Sequence, residues 1–289
     1  MRQSLAVALL AWSLIVAAQR LPDALAKDPS RDAQNPAAML VVNFPSHGDT
    51  LEGVLYQASG REPHPTVLLL HGLPGYEQNM DLAQAIRRSG WNVLTFHYRG
   101  SWGVAGRFTF AAAMEDTDAA LAFLHGDKAS EYGIDPRQIV VIGHSMGGRM
   151  AAYAGSHGND LAGVVLIAAL NLSVLTTESP AEHETRLQRW RPQTRPLSGV
   201  TAEELIASAK PHAEDWDYVR WAPTLAKRPL LIIAADDQNL AQNRALAAAT
   251  RKEHASNVTF VEMKTDHSFS DHRIALQLVV LRWLNVLRK

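Results

Sequence analysis

Short apolar runs rich in β-branched residues alternate along the chain with windows of helical periodicity. The runs are apolar throughout rather than at every second position, which is typical of strands buried on both faces of a sheet. Because parallel strands need a helix-sized crossover between them, this alternation predicts a mostly parallel central sheet flanked by helices, an α/β fold. The predicted strands cover residues 66–70, 92–97, 139–142, 163–168, 229–234 and 258–263.

The remaining elements fit the same layered arrangement. Residues 39–44 and 51–56, joined through a His-Gly-Asp turn, predict an antiparallel hairpin at the start of the fold. The last helical window presents Ile274, Leu278 and Leu281 as its predicted buried stripe. The predicted helices cover residues 82–89, 112–124, 146–154, 240–252 and 271–287.

Residues from about 171 to 222 interrupt this alternation. The segment carries Trp190, Trp216 and Trp221, together with several prolines, and it lies between two predicted strands. An insertion of this size is typical of a lid or of a wall of a substrate pocket, so we predict an inserted helical cap. The four arginines within residues 186–195 are interpreted as a solvated helix face, and an anion-binding site is the alternative.

The N-terminal segment has the layout of an export signal. Arg2 precedes a nearly uncharged apolar run over residues 5–18, and the sequence Ala-Leu-Ala at residues 24–26 fits a signal cleavage site. A second, less favoured cleavage site is Val-Ala-Ala at residues 16–18. An uncleaved membrane anchor is the alternative, but the apolar run is short against the roughly 20 residues that a spanning helix needs.

These patterns divide the chain into three parts. We predict a signal peptide over residues 1–26, a loose leader over residues 27–38 and one folded domain over residues 39–289. No second stretch is long and apolar enough to cross a bilayer, so we expect no stable membrane insertion after cleavage. The expected location is outside the cytoplasm, in the periplasm or secreted.

Composition excludes several classes of function. The 28 basic residues (Lys+Arg) are matched by 29 acidic ones (Asp+Glu), so no excess positive charge is available for a phosphate backbone and we predict no nucleic-acid partner. The absence of cysteine excludes disulfides, thiolate metal sites and a cysteine nucleophile. The Glu-His-Glu run at residues 182–184 lacks two histidines one helical turn apart, so we interpret it as a run of polar residues at the protein surface and predict no metal.

The most informative motif is Gly-His-Ser-Met-Gly-Gly at residues 143–148, directly between a predicted strand and a predicted helix. A serine on so sharp a turn adopts strained backbone angles, and small residues two positions before and after it prevent clashes. Gly143 and Gly147 meet this requirement. The turn would present the Ser145 hydroxyl at the carboxyl edge of the sheet, where α/β folds bind their ligands, so Ser145 is the predicted nucleophile.

A serine hydroxyl needs a base, and the base needs a carboxylate partner. His267 follows the last predicted strand by a few residues and therefore lies at the same sheet edge; His272, at the start of the terminal helix, is the alternative. Asp237 stands three positions beyond the end of the preceding strand and is the preferred acid, with Asp236 as the alternative. The chain order of nucleophile, acid and base is that of the α/β-hydrolases.

Two backbone N–H groups must also stabilise the negative oxygen that forms during attack. Met146, immediately after the nucleophile, supplies one at the N-terminus of a helix. The loop His-Gly-Leu-Pro-Gly at residues 71–75 follows another predicted strand, and its Gly72 permits close backbone approach. The N–H of Leu73 is the predicted second donor.

Together these features resemble the α/β-hydrolase superfamily over residues 39–287. The segment at residues 97–103 is most similar to the serine peptidase and esterase branches related to prolyl oligopeptidase and serine aminopeptidase. Two positions depart from the family pattern: Ala234 stands where many relatives have glycine, and His97 where many have aspartate. The matching features are the elbow at 143–148, the loop at 71–75, the segment at 97–103, Asp237 and His267.

The resemblance implies an α/β-hydrolase fold and hydrolysis of a small-molecule ester or amide through an acyl-enzyme intermediate. Ser145, Asp237 and His267 would form the catalytic triad, without a cofactor. Two other functions remain open at this stage: a non-catalytic binding protein that retains the fold, and an acyltransferase that uses the same triad.

Overall fold

The computed structural model describes residues 21–158 and 160–288, in which eight strands form one sheet. The strands are β1 (Ala38–Ser46), β2 (Asp49–Gln57), β3 (His64–Leu70), β4 (Asn92–Phe96), β5 (Ile134–His144), β6 (Gly163–Ile167), β7 (Leu230–Ala235) and β8 (Val258–Met263). Their order across the sheet is β1-β2-β4-β3-β5-β6-β7-β8. β2 pairs antiparallel with β1 and with β4, and all the other pairs are parallel. The predicted hairpin and the mostly parallel sheet are confirmed.

Helices connect the strands and cover the sheet. They are α1 (Asp23–Ala26), α2 (Met80–Arg88), α3 (Phe110–His125), α4 (Met146–Ser156), α5 (Val174–Thr177), α6 (Pro180–Trp190), α7 (Ala202–Ala209), α8 (Ala222–Leu225), α9 (Leu240–His254) and α10 (Arg273–Leu287). Each of the five helical windows predicted from periodicity corresponds to one of these helices, with ends that differ by a few residues.

The continuous apolar character of the central strands is explained by burial on both faces of the sheet. In β3, Val67 and Leu69 pack into one hydrophobic cluster, whereas Leu68 packs into the other. Every residue of β3, β4, β6 and β7 is buried. At about 25 cal/mol per Å² of apolar surface removed from water, these strands contribute a large share of the stability of the fold.

The predicted buried stripe of the last helix is partly wrong. In α10, Ile274 is 62% exposed, and the residues that face the sheet include Leu276, Val280 and Leu284. The apolar residues of this helix occupy more than one face, so spacing alone does not select the face that packs. Leu281 is buried as predicted.

The segment between β6 and β7 forms the predicted cap from α5, α6, α7 and several 3-10 turns. Its midpoint is tied to the loop after β4 by backbone hydrogen bonds: Trp102 N–H donates to the Pro196 carbonyl, and Ser198 N–H to the Gly100 carbonyl. Arg149 of α4 also contacts the cap. This residue is fully buried, and its guanidinium carbon lies 4.9 Å from the centroid of the Trp216 ring. Burial lowers the pKa of this guanidinium to about 9.

The predicted signal peptide lies mostly outside the described residues. The predicted cleavage sequence at 24–26 belongs to α1, where Ala24 packs against the hydrophobic cluster on one face of the sheet and its carbonyl accepts a hydrogen bond from Arg88 Nε at 2.7 Å. Cleavage at this position stays a prediction. Across residues 21–158 and 160–288, no helix combines the length and apolarity that a membrane span requires.

Candidate active site

Ser145 occupies the turn between β5 and α4 with φ 56° and ψ −116°, a strained conformation for a residue with a side chain. Close backbone packing holds the turn in place. A Cβ added at Gly143 would lie 1.9 Å from the Gly147 carbonyl oxygen, and a Cβ added at Gly147 would lie 2.1 Å from the Leu70 carbonyl oxygen. Both positions therefore exclude any side chain, which explains the glycines of the motif.

The loop after β3 passes directly beside this turn. A Cβ added at Gly72 would lie 2.9 Å from the Ser145 Cβ, so only glycine allows the loop to come this near. In the described part of the chain, neither the Leu73 N–H nor the Met146 N–H has an acceptor, and Met146 is the first residue of α4. Both predicted oxyanion donors are thus unoccupied and next to Ser145.

The structure pairs the favoured histidine with the favoured carboxylate. His267 Nδ1 lies 2.5 Å from Asp237 Oδ2, and the other Asp237 oxygen accepts the Asn239 N–H at 2.8 Å. The Asp237 side chain is only 4% exposed. The alternatives lie elsewhere: Asp236 is exposed, and His272 is the N-cap residue of α10 with its Nδ1 beside Asp271.

Ser145 and His267 together line a cavity of about 180 Å³ beside the loop after β3 and another, of about 80 Å³, beneath the cap. Leu73, Leu170 and Trp190 supply the apolar wall of the cavity beneath the cap. Within the described residues no hydrogen bond joins the Ser145 hydroxyl to the imidazole; such bonds are often long before substrate is bound. In the same part of the chain, no group of three or more His, Cys, Asp or Glu is arranged to hold a metal ion.

Comparison with known proteins identifies the family. The sequence matches the model of the alpha/beta hydrolase family over residues 67–276, which is most of the chain. The chain belongs to the α/β-hydrolase family. An uncharacterized protein of Mycobacterium tuberculosis is 32% identical over 124 residues, which are 43% of this hydrolase and 43% of that protein. The matched region therefore spans less than half of that curated relative.

Solved structures share the fold of this α/β-hydrolase. The acylaminoacyl peptidase of Pyrococcus horikoshii superposes with a TM-score of 0.69 at 18% identity, over 88% of this chain and 42% of that one. EstE1, a thermophilic carboxylesterase cloned from a metagenomic library, superposes with a TM-score of 0.65 at 21% identity, over 89% of this chain and 92% of that one. At such identities the likeness establishes the common fold alone.

His71 and His97, to which sequence reasoning gave no function, contact the predicted oxyanion loop at residues 71–75. His71 Nδ1 donates to the Gly72 carbonyl at 2.7 Å, so its Nε2 carries the lone pair that accepts from His97 Nδ1 at 3.1 Å. Trp102 stacks on His97 and donates its Nε1–H to the Pro74 carbonyl at 2.7 Å. His97, which departs from the family pattern, thus takes part in fixing this loop.

His144 contacts the loop that carries His267, the predicted base. Its Nε2 lies 2.8 Å from the His267 carbonyl oxygen, which can only accept, so the proton is on Nε2. Burial lowers the pKa of His144 to about 3 and that of His71 to about 4, which keeps both rings neutral. A histidine in the loop at residues 71–75 and another in the motif at residues 143–148 were the available signal, but sequence alone did not show what either ring contacts.

These two neutral rings predict how stability depends on pH. Unfolding exposes them to water, where an imidazole has a pKa of 6.5, so below that pH the unfolded state binds more protons. The free energy of unfolding is expected to fall between pH 6.5 and about 4, by on the order of 1 kcal/mol per pH unit for each ring. Urea unfolding at pH 7 and pH 5 measures this decline.

Two variants test whether the buried histidines cause the decline in the free energy of unfolding at low pH. His71→Gln should make the decline shallower, because it removes one proton-binding group from the unfolded state alone. His125→Gln, at an exposed position on α3, is the matched control and should leave the decline as it is. An equal decline in all three proteins would contradict this assignment.

Proposed function

We propose that this α/β-hydrolase cleaves an ester or amide bond through an acyl-enzyme intermediate on Ser145. The observation that carries the proposal is the 2.5 Å hydrogen bond from His267 Nδ1 to Asp237, made at a cavity that Ser145 also lines. A carboxylate on Nδ1 fixes the tautomer whose Nε2 has a free lone pair, and this is the form that can accept a serine proton.

In the first half of the proposed reaction, the Ser145 oxygen attacks the scissile carbonyl while His267 Nε2 takes its proton. The carbonyl oxygen becomes negative and receives hydrogen bonds from the N–H groups of Leu73 and Met146, aided by the positive end of α4. His267 then gives the proton to the leaving oxygen or nitrogen. The carbonyl–leaving group bond breaks, and the acyl group remains on Ser145.

Water completes the cycle by the same route. His267 takes a proton from a water molecule, whose oxygen attacks the acyl carbonyl and regenerates the oxyanion. Collapse of this intermediate breaks the bond to Ser145, which recovers the proton from His267, and a carboxylic acid is released. Asp237 stabilises the imidazolium in both halves.

A fluorophosphonate probe tests the proposal directly. Such probes react only with an activated serine, so the native protein should be labelled at Ser145, as located by mass spectrometry of tryptic peptides. Unfolding the protein before exposure to the probe should abolish labelling. Failure of the folded protein to react would support a non-catalytic binding protein. If labelling occurs, transfer of the acyl group to added alcohols in preference to water would instead indicate an acyltransferase.

A further inference from the structure

A cleft leads away from Ser145 along helix α6. Of the cavities that Ser145 and His267 line, the one beneath the cap adjoins a further cavity of about 300 Å³, bordered by α6 and by the first turn of α9. We refer to the two cavities together as the α6 cleft. The residues that line both are Arg186, Arg189, Gln238 and Asn239.

The carboxylates that line the α6 cleft already have partners. Glu178 is almost buried and accepts hydrogen bonds from Arg186 Nε at 2.7 Å and from His183 Nδ1 at 2.8 Å. Glu182 accepts from the backbone and the hydroxyl of Ser179, which closes the capping box of α6. The charge of Glu178 is therefore neutralised by Arg186, whereas Glu182 keeps its charge and is held by neutral donors at the N-terminus of α6.

Arg189 is the cation that remains. It lines both cavities, and within the described residues its guanidinium makes no hydrogen bond, ion pair or ring contact. No carboxylate lines the cavity beneath the cap, whose arginines are Arg186 and Arg189, whereas Glu77 lines the other cavity that Ser145 borders. An unpaired guanidinium at this position creates a positive potential next to the reacting bond, and its fork of N–H donors matches a carboxylate.

The other residues that line the cavity beneath the cap are suited to binding the remainder of a molecule that carries a carboxylate. Gln193 and Gln238 line the Ser145 cavity with carboxamides that can donate to an anion. Leu73, Leu170 and Trp190 provide an apolar surface for the chain between the scissile carbonyl and the charged end. The cavity beside Ser145 thus combines hydrogen-bond donors for an anion with an apolar surface for the chain that joins the anion to the scissile carbonyl.

We infer that the substrate is an ester or amide that also carries a carboxylate, and that Arg189 binds this carboxylate while Ser145 attacks. The inference rests on the proposed function of Ser145. It assigns one of the four cap arginines to anion binding, which the sequence left as the alternative to a solvated surface. Arg189 and Arg191 are both exposed, but Arg191 is paired with Glu203 and Arg186 with Glu178, so neither of these paired arginines shares the role of Arg189.

The test compares two esters that differ only in charge. Mono-p-nitrophenyl adipate carries a free carboxylate, and its methyl ester does not; release of p-nitrophenol reports both, after subtraction of uncatalysed hydrolysis. A second pair, 4-acetoxyphenylacetate and its methyl ester, places the charge on the leaving group. The readout is the ratio of kcat/KM for the charged ester to kcat/KM for the neutral one.

In at least one pair, the native enzyme should favour the charged ester, and Arg189→Gln should lower the ratio about tenfold, the size expected for loss of a hydrogen bond between charged groups. Arg189→Lys should retain part of the preference. High salt should reduce the ratio for the native enzyme. Arg195→Gln is the matched control, because Arg195 is an exposed arginine of the same segment that does not line the cleft, and it should leave the ratio unchanged.

The outcomes separate the inference from the function on which it rests. If the native enzyme hydrolyses the neutral esters but shows no preference for charge in either pair, or if Arg189→Gln and Arg195→Gln lower the ratio equally, Arg189 does not bind a substrate carboxylate. If the native enzyme hydrolyses none of the four esters and resists the fluorophosphonate probe, the proposed function itself fails, and the inference fails with it.

Discussion

Replacing Ser145 by alanine is expected to lower kcat for ester hydrolysis by about a thousandfold or more. The change removes the oxygen that bonds to the acyl group in the proposed mechanism and leaves the rest of the site in place. The oxyanion donors are backbone groups and remain, so a small residual rate above that of water is expected. Initial rates with short p-nitrophenyl esters measure the loss.

The same variant should fold normally. Within the described residues the Ser145 side chain makes no hydrogen bond, so its removal takes no stabilising contact from the native state. The expected Tm differs from that of the native enzyme by a few degrees at most, measured by circular dichroism. Hydrolysis by Ser145→Ala at the native rate would show that the nucleophile is another residue.

Replacing Asp237 by asparagine is expected to lower kcat by roughly a thousandfold to ten-thousandfold. An asparagine amide facing His267 Nδ1 favours the tautomer that carries the proton on Nε2, and this form cannot accept the serine proton. It also removes the negative charge that stabilises the imidazolium. The effect should appear mainly in kcat, because Asp237 does not contact the substrate in the proposed mechanism.

Asp236→Asn provides the matched control for this change. The two aspartates are adjacent in sequence, but Asp236 is exposed and does not contact His267. Its replacement makes the same chemical change one position away and should leave kcat within about twofold of the native value. A loss of activity in Asp236→Asn with an active Asp237→Asn would reverse the assignment of the acid.

Local constraints made the centre of the site readable from sequence. The turn that carries Ser145 tolerates no side chain at Gly143 or Gly147. The need for glycine at these two positions is therefore visible in a short stretch of sequence. The positions of Asp237 and His267 followed from the topology, because the carboxyl ends of parallel strands meet at one edge. The same logic places the oxyanion loop after β3.

Contacts between segments that are distant in the chain could not be predicted from the sequence. The hydrogen bond from His97 to His71 joins the ends of two strands, and nothing in either segment specifies the geometry of the other. The role proposed for Arg189 was not predicted from sequence, because it depends on which neighbouring side chains already have partners in the folded cap. The exposed Ile274 shows the same limit for a helix with apolar residues on several faces.

The tie between the middle of the cap and the loop after β4 has a consequence for selectivity. The cap is joined to the sheet at both of its ends, and its middle is hydrogen-bonded at Pro196 and Ser198. A large opening movement of the cap would therefore have to break these two backbone hydrogen bonds. We therefore expect the width of the α6 cleft to change little when a substrate binds. A cleft of fixed width would admit extended substrates of varied length more readily than broad ones.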